Sequence, residues 1–191
     1  MNIKIAKTNN PVIDLIKDRW SARSFSPKDI SQHELETILE AGSWAFSSSN
    51  SQPWNFIYTH RKDASFQKLV DCLMGGNQPW AKNASVLIAV LANKKNDNGT
   101  ENKIAKHDVG AANATLMLQA LSMGIYGHVM GGFHADKTIE TLSIDAEKHE
   151  PIVFIALGYL DSADKLEEPF KARELTARSR KSLSEISKHF V

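Results

Sequence analysis

Hydrophobic positions along the 191-residue chain switch between helical spacing and short continuous runs, which predicts interleaved helices and strands. Val12, Leu15 and Ile16 recur at helical spacing behind Pro11, a residue suited to a first turn, and predict a helix over Pro11 to Arg19. A second is predicted from Ser31 to Ala45, where Ser31 and Glu34 have capping-box spacing and Leu35, Ile38 and Leu39 form one stripe. Ser47 to Pro53 keeps neither period and reads as a loop; Trp54, Phe56 and Tyr58 then alternate with Asn55 and Ile57 as a strand. Helical spacing returns from Ser65 to Met74 and stops at Gly75-Gly76. The apolar run Ser85 to Ala92 predicts a strand buried on both faces, and Ile152 to Leu160 predicts another. Between them, Lys94 to Lys103 reads as a mobile polar loop. Asp108 to Met123, apolar nearly all round and stopped by Gly124, reads as a central helix. Asp161 to Val191 is charged, with scattered Leu and Phe; it is too poor in apolar residues to build its own core and is expected to wrap another surface.

This interleaving predicts an α/β or α+β fold, and the length predicts one domain over residues 1–191. Lys and Arg number 23 against 22 Asp and Glu, so the net charge of +1 sets up no field to gather nucleic acid or coat an anionic membrane. Any anion site must be local. The lone Cys72 excludes an internal disulfide, argues against a thiolate metal site and fits a reducing cytosol. No apolar run approaches the ~20 residues needed to cross a bilayer, and the first ten residues lack a signal-peptide core. A soluble cytoplasmic protein without nucleic-acid or membrane partners is expected.

Four clusters carry candidate chemistry. Arg19-Trp20-Ser21-Ala22-Arg23 places two guanidiniums four residues apart around a hydroxyl, a donor set that could grip phosphate. On spacing alone the ordinary reading is a solvated basic helix end. The loop from Ser47 through Asn50 to Trp54 offers hydroxyls, amides and backbone N–H groups to bracket a polar heterocycle, or is a plain surface connection. In Met130-Gly131-Gly132-Phe133 the glycines allow close backbone approach, or simply a turn. The tail carries Arg178 and Arg180 among other cations. His107 and Asp108 read as a helix start with Asp as cap, Cys72, Trp44, Trp54 and Trp80 as packing residues, and His128 and His134 as possible substrate contacts without a third metal ligand. No G-x-S-x-G elbow supports a Ser/His hydrolase.

Taken in order, R-W-S-A-R-S-F, S-S-S-N-S-Q-P-W, A-A-N-A-T-L-M-L-Q-A-L-S-M-G, G-G-F and the basic tail resemble the nitroreductase family over Ile13 to about Ser184. The resemblance implies an α+β fold, a three-layer α/β/α sandwich with a central mixed, largely antiparallel sheet flanked by helices. It also implies a homodimer in which residues 161–191 are exchanged with the partner. It implies FMN as cofactor and NADH or NADPH as electron donor, with ping-pong hydride transfer through flavin N5 to a small electrophilic acceptor such as a nitroaromatic or quinone. The alternative is a module that binds FMN for sequestration or sensing.

By position, Arg19 and Ser21, with Trp20 between them, resemble phosphate-binding residues, and Arg178 and Arg180 resemble the tail residues that complete that site. Arg23 resembles the cation at the N1–C2=O edge of the flavin, where fixed positive charge favours the reduced form. Ser47, Ser48 and Asn50 resemble the loop that packs on the ring from the other subunit, and Asn77 an amide near its pyrimidine edge. Gly131 and Gly132 resemble the backbone amides at N5 and O4; many relatives carry an acid at the first of these positions, so any carboxylate role is lost here. The flavin carries the chemistry, so no catalytic side chain and no metal are implied.

Overall fold

A computed structural model describes residues 3–191. Four strands form one sheet in the order β1-β2-β4-β3: β1 (Trp54–His60), β2 (Val86–Asn93), β3 (Tyr126–Met130) and β4 (His149–Gly158). Every pairing is antiparallel. The sheet is therefore simpler than the mixed one expected. β2 and β3 run in the same direction, but β4 inserts between them and leaves no parallel pair among the described residues.

Side chains alternate across β2 and β4 because strand residues point to opposite faces. Leu87, Ala89, Phe154 and Ala156 enter one core with α3 (Phe66–Cys72), α4 (Gln78–Ala81) and Phe170 of α7 (Phe170–Leu175). Val86, Ile88, Ile155 and Leu157 enter the other with α2 (Gln32–Ser43) and α5 (Ala105–Ser122). The result is an α+β fold in three layers, with β2 covered on both faces as its unbroken apolar run requires.

Most elements lie where the pattern predicts them. Ser31 caps α2 with the reciprocal Glu34 bonds of a capping box. The first helix is shorter than expected: α1 spans only Asp14–Asp18. α5 begins three residues earlier than expected, so Asp108 is not its cap but a buried residue of its first turn.

The strand β3 and the helices α4 and α6 (Ala135–Thr141) carry no clear period and were not anticipated. β3 holds Gly127 where α5 crosses the sheet. A Cβ on Gly127 would strike Met117 Sδ and lie 2.8 Å from Leu157 Cδ2. Gly127→Ala is therefore expected to cost about 1–3 kcal/mol of stability through overpacking, read as a lower urea midpoint; an unchanged midpoint would contradict this packing.

The tail differs most from expectation. Leu166 and Phe170 are buried in the first core, so the 161–178 part of the tail is anchored on its own chain through these two apolar side chains. Beyond Arg178, Leu183 and Ile186 of α8 (Leu183–Ile186) and Phe190 are 63, 67 and 94% exposed. Only this last part answers to a segment without a core of its own. Among the described residues, no helix is long and apolar enough to cross a membrane.

Candidate functional site

The R-W-S-A-R segment follows α1 as extended chain outside the sheet, not as a basic helix end. α1 stops at Arg19, whose backbone turns to φ −66°, ψ 123°. Farther on, Ser26 N–H donates to the Tyr159 carbonyl at 2.8 Å and Asp161 N–H to that of Ser24 at 3.0 Å. Burial alternates: Trp20, Ala22 and Ser24 face inward while Ser21 and Arg23 stay partly exposed. A period of two thus puts Arg19, Ser21 and Arg23 along one side, which explains their spacing. The Trp20 indole packs edge-on against Tyr126, with Lys4 Nζ 5.0 Å above its ring, and its buried Nε1 has no hydrogen-bond partner among the described residues.

Three arginines gather at the start of this extended segment. Arg178 Nη1 donates to the carbonyls of Lys17 at 2.8 Å and Lys4 at 3.0 Å, which pins the tail across the end of α1. Burial, and then the nearby Arg180, hold the Arg19 guanidinium below its usual value; burial, then Arg19 and Arg180, do the same for Arg178. Like charges packed this closely repel one another, and a multiply charged anion is the ligand that relieves the repulsion.

Arg23 lies in a different environment. Its guanidinium stands 5.8 Å from the Trp80 ring centroid, and its Nη1 lies 3.9 Å from Glu174 Oε2. The other oxygen of Glu174 accepts the backbone N–H groups of Arg23 at 2.9 Å and Ser24 at 3.1 Å. His128 stacks on the opposite neighbour, Trp80, at 4.5 Å and shares a 3.0 Å hydrogen bond through Nδ1 with the Ala22 carbonyl. Burial, reinforced by the charge of Arg23, lowers its pKa to about 4. It is a buried neutral wedge behind the extended segment, not an exposed substrate contact.

The serine loop is tied down at a second place. Ser48 N–H donates to Asp108 Oδ2 at 2.8 Å, and Gln52 N–H to Ser47 Oγ at 3.2 Å. Ser49, Asn50 and Gln52 all take positive φ, between 45° and 56°. Such backbone is uncommon for residues with side chains and clusters where a loop is shaped for a ligand. Asn102 Nδ2 reaches Ser51 Oγ at 3.3 Å from a hairpin in which Lys95 pairs with Glu101. The Lys94 to Lys103 segment is thus stitched to the serine loop, the two lining a cleft of about 520 Å³. Trp44 and Phe46, just before the loop, are 82 and 70% exposed, so Trp44 is not the packing residue expected.

Asn77 and the glycine pair do meet. Asn77 Nδ2 donates to the Gly132 carbonyl at 2.9 Å, and that carbonyl also accepts Met74 N–H at 3.0 Å. Among the described residues, neither the Gly131 nor the Gly132 N–H has an acceptor. A cleft of about 660 Å³ lined by Met74, Gln78, Phe133 and His134 opens beside them. Within one chain, then, Arg19, Arg178 and Arg180 form one group, Arg23 stands with Glu174, Asn77 with Gly132, and the loop of Ser47, Ser48 and Asn50 sits by the start of α5.

Sequence reasoning missed Glu174 and the anchoring role of Asp108. Glu174 had one signal: it follows Phe170 at i+4, the spacing of a shared buried face.

The nitroreductase family model matches residues 16–76 and 59–159. YdgI of Bacillus subtilis (strain 168), provisionally named an NAD(P)H nitroreductase, is 26% identical over 189 residues, covering 80% of this chain and 89% of its own. A crystal structure described as an oxidoreductase containing FMN superposes with a TM-score of 0.91 at 34% identity, covering 98% of this chain and 95% of that one. A Desulfovibrio desulfuricans protein, provisionally named a nitroreductase and solved in complex with FMN, shares the fold at a TM-score of 0.77 and 24% identity, over 96% of this chain and 100% of that one. With the family model spanning most of the fold and both neighbours matching nearly end to end, the chain belongs to the nitroreductase family.

Proposed function

We propose that this chain is a cytosolic FMN-dependent oxidoreductase, a single domain over residues 1–191 acting as a homodimer. The observation that carries the reading is that hydrogen bonds to the Lys4 and Lys17 carbonyls pin Arg178 at the end of α1, where Arg19, Arg178 and Arg180 act on one another, a donor set suited to a phosphate monoester. The unengaged N–H groups of Gly131 and Gly132 suit the carbonyl and ring nitrogen at one edge of an isoalloxazine, and Arg23 the other edge. Trp20 contributes through its backbone, since its ring is buried. When bound, FMN supplies the redox chemistry, taking a hydride equivalent from NADH or NADPH and passing electrons to a nitroaromatic, a quinone or a similar small acceptor. The protein's part is to hold the phosphate, fix the ring edges and leave one ring face open to two substrates in turn.

The dimer follows from what one chain leaves uncovered. Ile16, Met117, Leu118, Val129 and Ile152 line an apolar cleft of about 570 Å³ beside Arg19, and residues 179–191 extend outward with their apolar side chains exposed. A second copy covers both surfaces and brings its Ser47, Ser48 and Asn50 loop to the flavin.

Initial rates of NADH or NADPH oxidation by FMN-loaded protein, with menadione or a nitrofuran varied at several donor concentrations, test the reading. Parallel double-reciprocal lines are expected. Bound FMN with no oxidation by any acceptor would leave a flavin-binding module in its place.

A further inference from the structure

We propose that Glu174 is a positioning residue that fixes Arg23 and offsets its charge, so that the bound flavin is held at a lower, more reducing potential than Arg23 alone would set. The inference rests on the FMN reading above. Glu174 is only 5% exposed. Its Oε1 accepts two consecutive peptide N–H groups, those of Arg23 and Ser24, and so locks the backbone from which the Arg23 side chain springs. Its Oε2 is buried, has no hydrogen bond among the described residues and lies 3.9 Å from Arg23 Nη1.

The unbonded oxygen is the telling feature. A neutral amide could supply one carbonyl oxygen to two N–H donors, whereas a buried carboxylate carries a desolvation cost that a bond to only one of its oxygens does not repay. The negative charge acts on both Lys4 and Arg23, and of the two Arg23 is the one placed to meet the flavin edge. A guanidinium with a carboxylate 3.9 Å away acts on more distant groups as a dipole, whose field falls off faster than that of a free cation. Arg23 thus keeps its hydrogen-bond donors for the flavin edge while losing part of its power to favour the reduced form. α7 delivers the carboxylate to this depth: Phe170, one turn earlier, is buried in the core, and Lys4 Nζ clasps the Arg173 and Thr176 carbonyls on either side at 2.7 Å.

Anaerobic redox titration of FMN-loaded wild type and Glu174→Gln tests this. Glutamine keeps the oxygen for both N–H bonds and removes the charge. The midpoint potential is expected to move positive, with the reduced cofactor gaining about tenfold in affinity relative to the oxidised form, the scale of losing one partly screened unit charge near the site. A potential unchanged or more negative, in a variant that retains the wild-type flavin spectrum, overturns the proposal. Should Glu174→Gln not hold FMN, Glu174→Asp, which draws the charge back by one methylene, is expected to shift the potential in the same direction by less; no shift there is equally decisive. If the wild type itself binds no FMN, the functional reading fails first and this inference with it.

Discussion

Replacing Arg19 by alanine is expected to weaken FMN binding about ten- to a hundredfold, the range for loss of hydrogen bonds to a charged group. Riboflavin, which lacks the phosphate, should bind wild type and Arg19→Ala almost equally. The same substitution should not destabilise the ligand-free protein, because Arg19 sits among Arg178 and Arg180 and its removal relieves repulsion. Arg178→Ala is expected to behave differently. Its guanidinium holds the Lys4 and Lys17 carbonyls, so that variant loses stability as well as affinity. Titrating apo protein with FMN and with riboflavin by flavin fluorescence reads the first contrast, and thermal melting reads the second. Equal losses for both flavins in Arg19→Ala would remove the phosphate from this cluster.

Folding stability is expected to fall by about 3 kcal/mol between pH 6.5 and 4 on account of His128 alone. Burial, then the charge of Arg23, lowers its folded pKa from 6.5 to about 4. Across that window the unfolded chain binds a proton that the native chain refuses, so the contribution is fully present above pH 6.5 and lost as pH falls to 4. About 1.4 kcal/mol for each pH unit gives the total. In wild type the urea-unfolding free energy should therefore drop more steeply over this range than in His128→Gln. Parallel profiles would mean that His128 is not the buried neutral group behind the extended Arg19 to Arg23 segment. FMN affinity should hold across this window, in which native His128 stays neutral, and fall only as pH drops through about 4, where a charged His128 would push against the segment that presents Ser21.

The layers of this fold were legible in the sequence wherever a period ran long enough. The unbroken run of β2 announced burial on both faces, and Ser31 with Glu34 announced the start of α2. β3 was hidden because Gly127 and His128 interrupt its five residues; their burial depends on Met117 of the preceding helix and on Trp80, which lies far away in sequence. The tail misled for a similar reason. Its composition lacks a core, yet Leu166 and Phe170 need only two places in a core built by other segments.

The candidate site was legible as motifs but not as geometry. Arg19, Ser21 and Arg23 share a side only because the chain turns extended at Arg19, which their spacing leaves undecided between strand and helix end. The bond from Asn77 to Gly132 joins segments 55 residues apart. Glu174 could not be told from any acid in a charged tail, because what distinguishes it is depth of burial and an unbonded oxygen. Asp108 likewise looked like a helix cap until α5 placed it inside the first turn, where it holds the serine loop by the Ser48 amide.

The most direct test of the account is anaerobic mixing of the FMN-loaded protein with NADH and, separately, NADPH, followed by absorbance of the flavin band. The account predicts rapid bleaching by at least one of the two and recovery of the band when a quinone or nitroaromatic is added. A flavin that stays oxidised with both nucleotides, in protein shown to hold FMN at full occupancy, would contradict it.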